Sequence, residues 1–264
     1  GAAPQAVKAM VPDATDPELV YFELNMSSNV LHLSFSETVD ESTLKITEFT
    51  LQNAQTGATS MRLLVDGESM IDENGSGDDV STFNGDGDVI EVRLQALDMN
   101  YIKKIRDLCT GTADTFVSVP ALGVSDMQGN SLKPISDSSA LQAAVHVPDT
   151  VRPTLVDFEL NMNANTLKLS FDETVKAIDT FVIGAIQLQQ NADATTGQKY
   201  DLVANTSVSE DSTVITVGLS VGDMNEIKRL DALATTEADT FISYTDLMVM
   251  DMNDQPLVER SETA

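Results

Sequence analysis

The sequence predicts an all-β protein with two tandem β-sandwich domains, each carrying a short helix between its late strands. The motif Phe-Glu-Leu-Asn-Met starts at Phe22 and returns at Phe158, a shift of 136 residues, which is the size of a domain and too long for a solenoid repeat. Both copies continue with Leu-x-Leu-Ser-Phe, from Leu31 and from Leu167, and this alternation of apolar and polar residues indicates a half-buried strand. About seven short strands at such spacing are typical of a sandwich.

The segment 1–11 resembles the end of the first copy. Residues 6–13 resemble residues 142–149, and both stretches finish with Val-Pro-Asp. The second copy reaches Ala264 before it arrives at its own version of this segment. We therefore expect residues 1–11 to be the last strand of a preceding repeat, and the second domain to lack its final strand.

The first domain is predicted to span residues 12–147. Its first two strands are expected from Leu19 to Leu24 and from Leu31 to Phe35, joined by a polar turn. Residues 66–88 are rich in Gly and acidic residues and contain no Lys or Arg. The second copy replaces them with a connection about a dozen residues shorter, so this acidic insertion is expected to be a loop on a fixed scaffold.

Late in each copy, the spacing of the apolar residues changes from a strand pattern to a helical pattern. Residues 97–108 place apolar side chains at helical spacing, with an Asp or an Asn available as N-cap (Ile102, Ile105, Leu108; Asp98, Asn100). Residues 223–233 repeat the pattern. A short helix that crosses from one sheet to the other is the simplest interpretation. The second domain is predicted to span residues 148–264, after a short connection with two prolines that restricts swing.

Composition excludes several classes of function. The chain has 15 basic and 42 acidic residues and a net charge of −27, whereas nucleic-acid binding needs clustered Lys and Arg. Such acidity favours solubility and cation binding. Cys109 is the one cysteine, so no intramolecular disulfide forms, and its counterpart Ala234 indicates a small apolar filler. No apolar stretch approaches ~20 residues, so no membrane insertion is expected.

Three motifs carry a resemblance to a known family. The order Asp-x-x-x-Pro, Leu-x-Leu-Ser-Phe-x-Glu-Thr-Val and Val-Ser-Asp-Met-Gln-Gly-Asn-x-Leu resembles the bacterial-type Ig-like repeats of S-layer and large adhesin proteins. The Asp-Met-Asn-x-Ile-Lys helix is similar to a variant found in very long surface proteins of marine microbes and algae. The second copy departs at residues 251–255, where the Gly-Asn pair is lost. The resemblance implies tandem Ig-like domains in a spacer, stalk or filament, adhesive and extracellular, at the cell surface.

No residue is expected to be catalytic. His32 and His146 lie in strand patterns with apolar neighbours, and neither belongs to a nucleophile or metal motif.

The absence of a signal peptide and of an initiator Met suggests a piece of a longer chain.

Calcium is the cofactor that the acidic insertion suggests, because hard cations take several oxygen ligands. The first half of an EF-hand loop is matched by Asp72, Asn74, Ser76 and Asp78. Phe83 stands where the loop needs its bidentate Glu, so a full EF-hand is excluded. Asp86 and Asp88 could supply the missing oxygens. The alternative is a mobile hairpin loop without an ion.

A second candidate cation site recurs in each domain. In an Ig-like sandwich the domain start, the loop after the second strand and the last loop share one pole. This geometry is expected to gather three carboxylates in the first domain, Asp13, Glu37 and Asp126, and three in the second, Asp149, Glu173 and Asp251. At the domain junction, the second set is expected to face Asp98 and Asn100 from the other pole of the first domain. A cation there would stiffen the array. The alternative is that the two Glu side chains cap turns and that Asp98 and Asp223 cap helices.

Glycans and other copies of the chain are the remaining candidate partners. Asn25, Asn74 and Asn205 begin N-glycosylation sequons. A carbohydrate-binding module is the alternative function, although Trp is absent and the platform would depend on four tyrosines (Tyr21, Tyr101, Tyr200, Tyr244). Neighbouring repeats or identical subunits are also expected as partners, through donation of residues 1–11 as a strand to another molecule.

Overall fold

The structure is a computed structural model that describes residues 3–65 and 86–261. Strands dominate these residues, and the helices are few and short, which confirms the prediction of a β-rich protein. The chain divides into two compact units. The first comprises Gly1–Met99 and Asp107–Val147, and the second comprises Asn100–Arg106 and Pro148–Ala264. A short piece of the first sequence copy thus belongs to the second unit.

The described residues of the first unit form two sheets. Its strands are β1 (Leu19–Asn25), β2 (Val30–Asp40), β3 (Thr50–Gln52), β4 (Met61–Leu63), β5 (Gly87–Arg93), β6 (Phe116–Ser118), β7 (Ser125–Asp126), β8 (Leu141–Gln142) and β9 (Val145–Val147). One sheet has the order β5-β2-β1-β9, with β7 also paired to β2, and the other has the order β4-β3-β6-β8. The strand β9 runs parallel to β1.

Alternation places the core of the first unit on one face of β1 and β2. Phe22 lies opposite Leu33, and Leu24 lies opposite Leu31; all four are fully buried. The intervening polar residues remain partly exposed. The turn between the strands requires a left-handed residue, which is Asn29 at φ 60°, because Asn tolerates this conformation better than most side chains do.

The first helix, α1 (Ala96–Lys104), is shorter than its pattern predicts. It begins at Ala96, so Asp98 lies in the first turn rather than at the N-cap. It ends before Ile105 and Leu108, and the chain then passes through Cys109 with φ 56°. Ala234 has φ 57° at the equivalent place. Cys109 is buried, in agreement with a small filler at a tight turn.

The second unit repeats the plan. Its elements are β10 (Leu155–Asn161), β11 (Thr166–Val175), α2 (Ala177–Thr180), β12 (Ile186–Gln189), β13 (Lys199–Asp201), β14 (Asn205–Val208), β15 (Ser212–Leu219), α3 (Val221–Arg229) and β16 (Phe241–Tyr244). The sheets have the orders β10-β11-β15-β14 and β13-β12-β16. Apolar side chains from both sheets form one buried cluster. The turn residue is again Asn, Asn165 at φ 54°.

The two units differ along the strands that open each copy. β1 is flanked by β2 and β9, whereas β10 is the edge strand of its sheet within the described residues. Residues 3–11, which the sequence predicts to be a strand, are exposed and lie outside any strand.

Candidate functional site

The structure brings together the three carboxylates predicted for the first domain. Glu37 is carried by β2, Asp126 ends β7, and Asp13 precedes β1. One carboxylate oxygen from each lies within 4.8 Å of the others. Asp13 is exposed, Glu37 is half-buried and Asp126 is buried. We call these residues the first cluster.

The turn after β7 fixes Asp126 in this cluster. Its Oδ1 accepts hydrogen bonds from the backbone N–H groups of Gln128 and Asn130, at 2.9 and 2.7 Å. Burial alone would raise the pKa of Asp126, but these bonds and one from the Asn130 side chain hold it below the ordinary value. The pKa of Glu37 is raised by burial and by the charges of Asp13 and Asp126. Glu37 is therefore the carboxylate of this cluster whose charged form is disfavoured.

The structure also brings together Asp149, Glu173 and Asp251, which we call the second cluster. One carboxylate oxygen from each lies within 4.8 Å of the others, and all three residues are buried. Lys103 enters this cluster. Its Nζ lies 2.6 Å from Asp149 Oδ2 and 2.8 Å from Glu173 Oε2. The contact with Asp149 is an ion pair without hydrogen-bond alignment, whereas Lys103 donates an aligned hydrogen bond to Glu173.

Burial and charge shift the pKa values in the second cluster. Burial disfavours the charged form of Lys103, but the two carboxylates raise its pKa above the ordinary value. Burial raises the pKa of Glu173 to about 7, with Lys103 opposing and the charges of Asp149 and Asp251 assisting. Burial raises the pKa of Asp251 to about 6, against hydrogen bonds from backbone N–H groups. Three carboxylates and one ammonium leave an excess of negative charge, which a proton relieves.

Two more contacts join residues of the segment Asn100–Arg106 to the second unit. Thr174, next to Glu173, donates its backbone N–H to Asn100 Oδ1 at 3.0 Å and its hydroxyl to the Asn100 carbonyl at 3.0 Å. Arg106 pairs with Asp179 and Asp211, each at 2.5 Å. Asn100, Lys103 and Arg106 thus all bind within the second unit.

Asp98, predicted to face the second set of carboxylates as a cation ligand, contacts residues of the first unit. Its Oδ1 pairs with Arg62 at 2.7 Å, and its Oδ2 accepts the backbone N–H of Val65 at 3.0 Å. It belongs to neither carboxylate cluster among the described residues. Asp223, its counterpart in α3, accepts hydrogen bonds from Tyr200 and from the backbone N–H groups of Val203 and Ala204. Both side chains fix a short strand, β4 or β13, and the residues that follow it.

Most of the acidic insertion lies outside the described residues, and with it Asp72, Asn74, Ser76 and Asp78. Asp86 is described, and its Oδ1 accepts the backbone N–H of Glu41 at 3.0 Å. Asp88 is an exposed residue of β5. The contact of Asp86 recurs in the second unit, where Asp211 accepts the N–H of Ile178, so Asp86 fixes a turn.

The predicted glycan residues occupy different surroundings. Asn25 ends β1, and its Oδ1 accepts the backbone N–H groups of Ser27 and Ser28. Asn205 is exposed at the start of β14. Asn74 lies outside the described residues. Of the tyrosines, Tyr244 is buried, and the hydroxyl groups of Tyr21 and Tyr200 donate to Glu23 and Asp223.

Neither histidine belongs to a carboxylate cluster among the described residues. His32 Nδ1 lies 3.2 Å from Glu91 on the neighbouring strand, and His146 Nε2 lies 2.7 Å from the Cys109 carbonyl. Burial raises the pKa of Cys109 to about 12, so its thiolate is not formed near neutral pH.

Sequence reasoning overlooked Lys103. The signal was present, because Asn-x-x-Lys occurs in both helices, as Asn100 with Lys103 and as Asn225 with Lys228. An exposed Lys on a helix is ordinarily a solvated residue. The pairing becomes apparent only when the fold places the carboxylates of the next copy beside it.

Within residues 3–65 and 86–261, no helix combines the length and the hydrophobicity that crossing a bilayer requires. No family model matches the sequence, and no curated protein matches it. Among solved structures, the chain is similar to the S-layer protein rSbsC(31-844), with 14% identity over 80% of this chain and a TM-score of 0.27. It is also similar to the N-terminal part of the bacterial S-layer protein SbsC, with 11% identity over 78% of this chain and a TM-score of 0.27. The chain spans 25% and 44% of these two proteins. A TM-score this low does not establish a shared fold, so no functional conclusion follows from either neighbour.

Proposed function

We propose that the chain is a non-enzymatic structural or adhesive repeat module, built from two Ig-like sandwich domains that act as a spacer or stalk in a long extracellular protein. The observation that carries this proposal is the position of Lys103. It comes from the helix of the first sequence copy, and it neutralises carboxylates that belong to the second copy. A repeat whose helix stabilises the following repeat suits a load-bearing array.

Duplication of the polar contacts supports the same proposal. Gln52 and Gln189 each donate to a backbone carbonyl two residues further on. Asp114 and Asp239 each accept two consecutive backbone N–H groups at the start of a short turn. Such contacts fix backbone geometry rather than a reacting group. The scaffold is therefore the part that both copies share, whereas their loops differ in length.

We assign the proposed calcium site to the first cluster. In the second cluster the ammonium of Lys103 already occupies the place of a cation. In the first cluster the three oxygens of Asp13, Glu37 and Asp126 have a spacing that suits ligands of one ion. Calorimetry with calcium on the Glu37→Gln variant, against the unchanged chain, tests this assignment. Equal heats would remove the first cluster from the proposal.

The carbohydrate-binding alternative has less support. Sugar sites in sandwiches stack the sugar on exposed aromatic rings, whereas Tyr244 is buried and the hydroxyl groups of Tyr21 and Tyr200 are engaged by carboxylates. Tyr101 is the one candidate among the four that is exposed. A glycan array that gives a strong hit abolished by Tyr101→Ala would favour this alternative.

Stretching single molecules between their ends tests the mechanical function. We expect two separate unfolding events, each releasing on the order of 40 nm of chain, because about 3.5 Å is gained per residue. A gradual extension without force peaks, or one event for the whole chain, would contradict a load-bearing role for two modules.

A further inference from the structure

An open groove runs along β10 in the second unit. Its volume is about 750 Å³, and it is lined by residues 157–163 on one side and by residues 234–237 and Thr240 on the other. Phe158, Leu160 and Met162 are only partly buried there. The groove therefore combines the edge of a sheet with uncovered apolar side chains, which is the arrangement that accepts an added strand.

The first unit shows what covers the equivalent groove. There β9 pairs in parallel with β1, with Leu24 opposite His146. Ala144 donates its backbone N–H to the Phe22 carbonyl at 3.0 Å, and Met26 donates to the Val147 carbonyl at 2.9 Å. Under this cover the equivalents of the three uncovered side chains are buried (Phe22, Leu24, Met26).

One other segment of the chain resembles this cover and shares its final Val-Pro-Asp. Residues 5–11 correspond to residues 141–147, and in both cases Pro and Asp follow. Residues 5–11 are exposed and belong to no strand. In the register of the first unit, Lys8 would donate its N–H to the Phe158 carbonyl, and Met10 would lie opposite Leu160.

Charge complementarity supplies a second, independent contact. In α3, Asn225 and Lys228 stand where Asn100 and Lys103 stand in α1, and both are exposed. The carboxylates of the first cluster are the counterparts, in the first sequence copy, of those of the second cluster. Asp13 comes two residues after segment 5–11, just as Asp149 comes two residues after β9. A molecule that donates residues 5–11 would therefore also place its Asp13 near Lys228, the counterpart of Lys103.

We propose that the second unit binds a second copy of this chain: residues 5–11 of that copy form a parallel strand on β10, and Lys228 pairs with its Asp13 and Glu37. This inference rests on the proposed repeat function and names the partner of the module. It can fail while that function stands, because stretching one molecule does not depend on association.

One position weakens the contact between two identical copies. In the second unit Arg106 pairs with Asp211, whose counterpart in the first unit is Asp86. Asp231 stands at the place of Arg106 in the second copy, so two carboxylates would face each other. Asp231 is exposed and lies outside the core, and it accepts one hydrogen bond, from the Gln198 side chain at 2.8 Å. Asp231→Arg is expected to lower the dissociation constant.

Sedimentation equilibrium of the full chain over a concentration series tests the proposal. We expect Lys8→Pro, which removes one donor N–H, to raise the dissociation constant at least about tenfold, because main-chain hydrogen bonds provide the affinity in strand addition. The matched control Lys8→Ala keeps the N–H and should bind like the unchanged chain. Lys228→Glu should weaken association, and adding Glu37→Lys should restore it in part.

Several results would overturn the proposal. A monomer at every concentration would do so, as would equal dissociation constants for Lys8→Pro and Lys8→Ala. Association that a calcium chelator abolishes, and that Lys228→Glu leaves unchanged, would replace the Lys228 contact by a metal bridge.

Discussion

At the scale of single residues, the two carboxylate clusters differ in what surrounds three similarly placed carboxylates. Lys103 provides a positive charge in the second cluster, and the raised pKa of Glu173 indicates that a proton provides more. In the first cluster, hydrogen bonds hold the pKa of Asp126 low, and Glu37 carries the unfavourable charge. The surroundings of each carboxylate, rather than its sequence motif, decide the direction in which its pKa is shifted.

The pH dependence of stability should reveal the proton in the second cluster. The pKa of Glu173 is about 7 in the folded chain, above its ordinary value, so the folded state binds more protons than the unfolded state between about pH 4.5 and 7. This contribution to stability is present at low pH and is lost as the pH rises through 7. Urea unfolding should therefore give a smaller free energy at pH 7.5 than at pH 6.

Glu173→Gln provides the control, because its amide does not titrate. We expect the free energy of unfolding to change less between pH 6 and 7.5 in this variant than in the unchanged chain. A free energy of unfolding that increases with pH over this range, or an unchanged slope in Glu173→Gln, would contradict the assignment.

At the scale of elements, the turns are as informative as the strands. The β1–β2 and β10–β11 turns share the left-handed Asn and an Asn side chain that accepts two backbone N–H groups. The left-handed conformation is costly for most side chains. Both copies thus use the same residue type to fix the register on which the buried faces depend.

Asn165 allows a direct test of this turn. Asn165→Val should lower the free energy of unfolding by about 1–2 kcal/mol, because a β-branched side chain strains the left-handed backbone. Asn165→Gly should have a much smaller effect, since Gly adopts positive φ readily. Chemical denaturation of both variants provides the comparison; equal losses would show that the side chain matters more than the backbone conformation.

The sequence predicted those elements whose signal is local. Alternation predicted β1 and β2, and the duplicated motif predicted β10 and β11. The sequence predicts too long a helix α1, because the helical spacing of apolar residues continues through Ile105. The chain instead leaves the helix after Lys104 and turns at Cys109. The meeting of Asp13, Glu37 and Asp126 followed from the connectivity of a sandwich. The pairing of Lys103 was missed although Asn-x-x-Lys recurs in both helices, because the position of its partners depends on tertiary placement.

At the scale of the whole molecule, a segment of the first sequence copy is part of the second compact unit. The second unit includes Asn100–Arg106, so its stability depends on a piece of the first sequence copy. An isolated second copy that starts at Pro148 would lack Lys103 and leave buried carboxylates without their counter-charge. Removing one partner of a buried ion pair typically costs several kcal/mol, so repeats of this kind should stabilise one another in sequence.

Native-state hydrogen exchange of Lys103→Met tests this central claim most directly, with Lys228→Met as the matched control. We expect Lys103→Met to speed exchange in β11 and β15 about a hundredfold, because a loss of about 3 kcal/mol is expected for a broken buried pair. Exchange in β2 and β5 should not change, and Lys228→Met in dilute solution should resemble the unchanged chain. Equal exchange rates in β11 for the two variants would contradict the account.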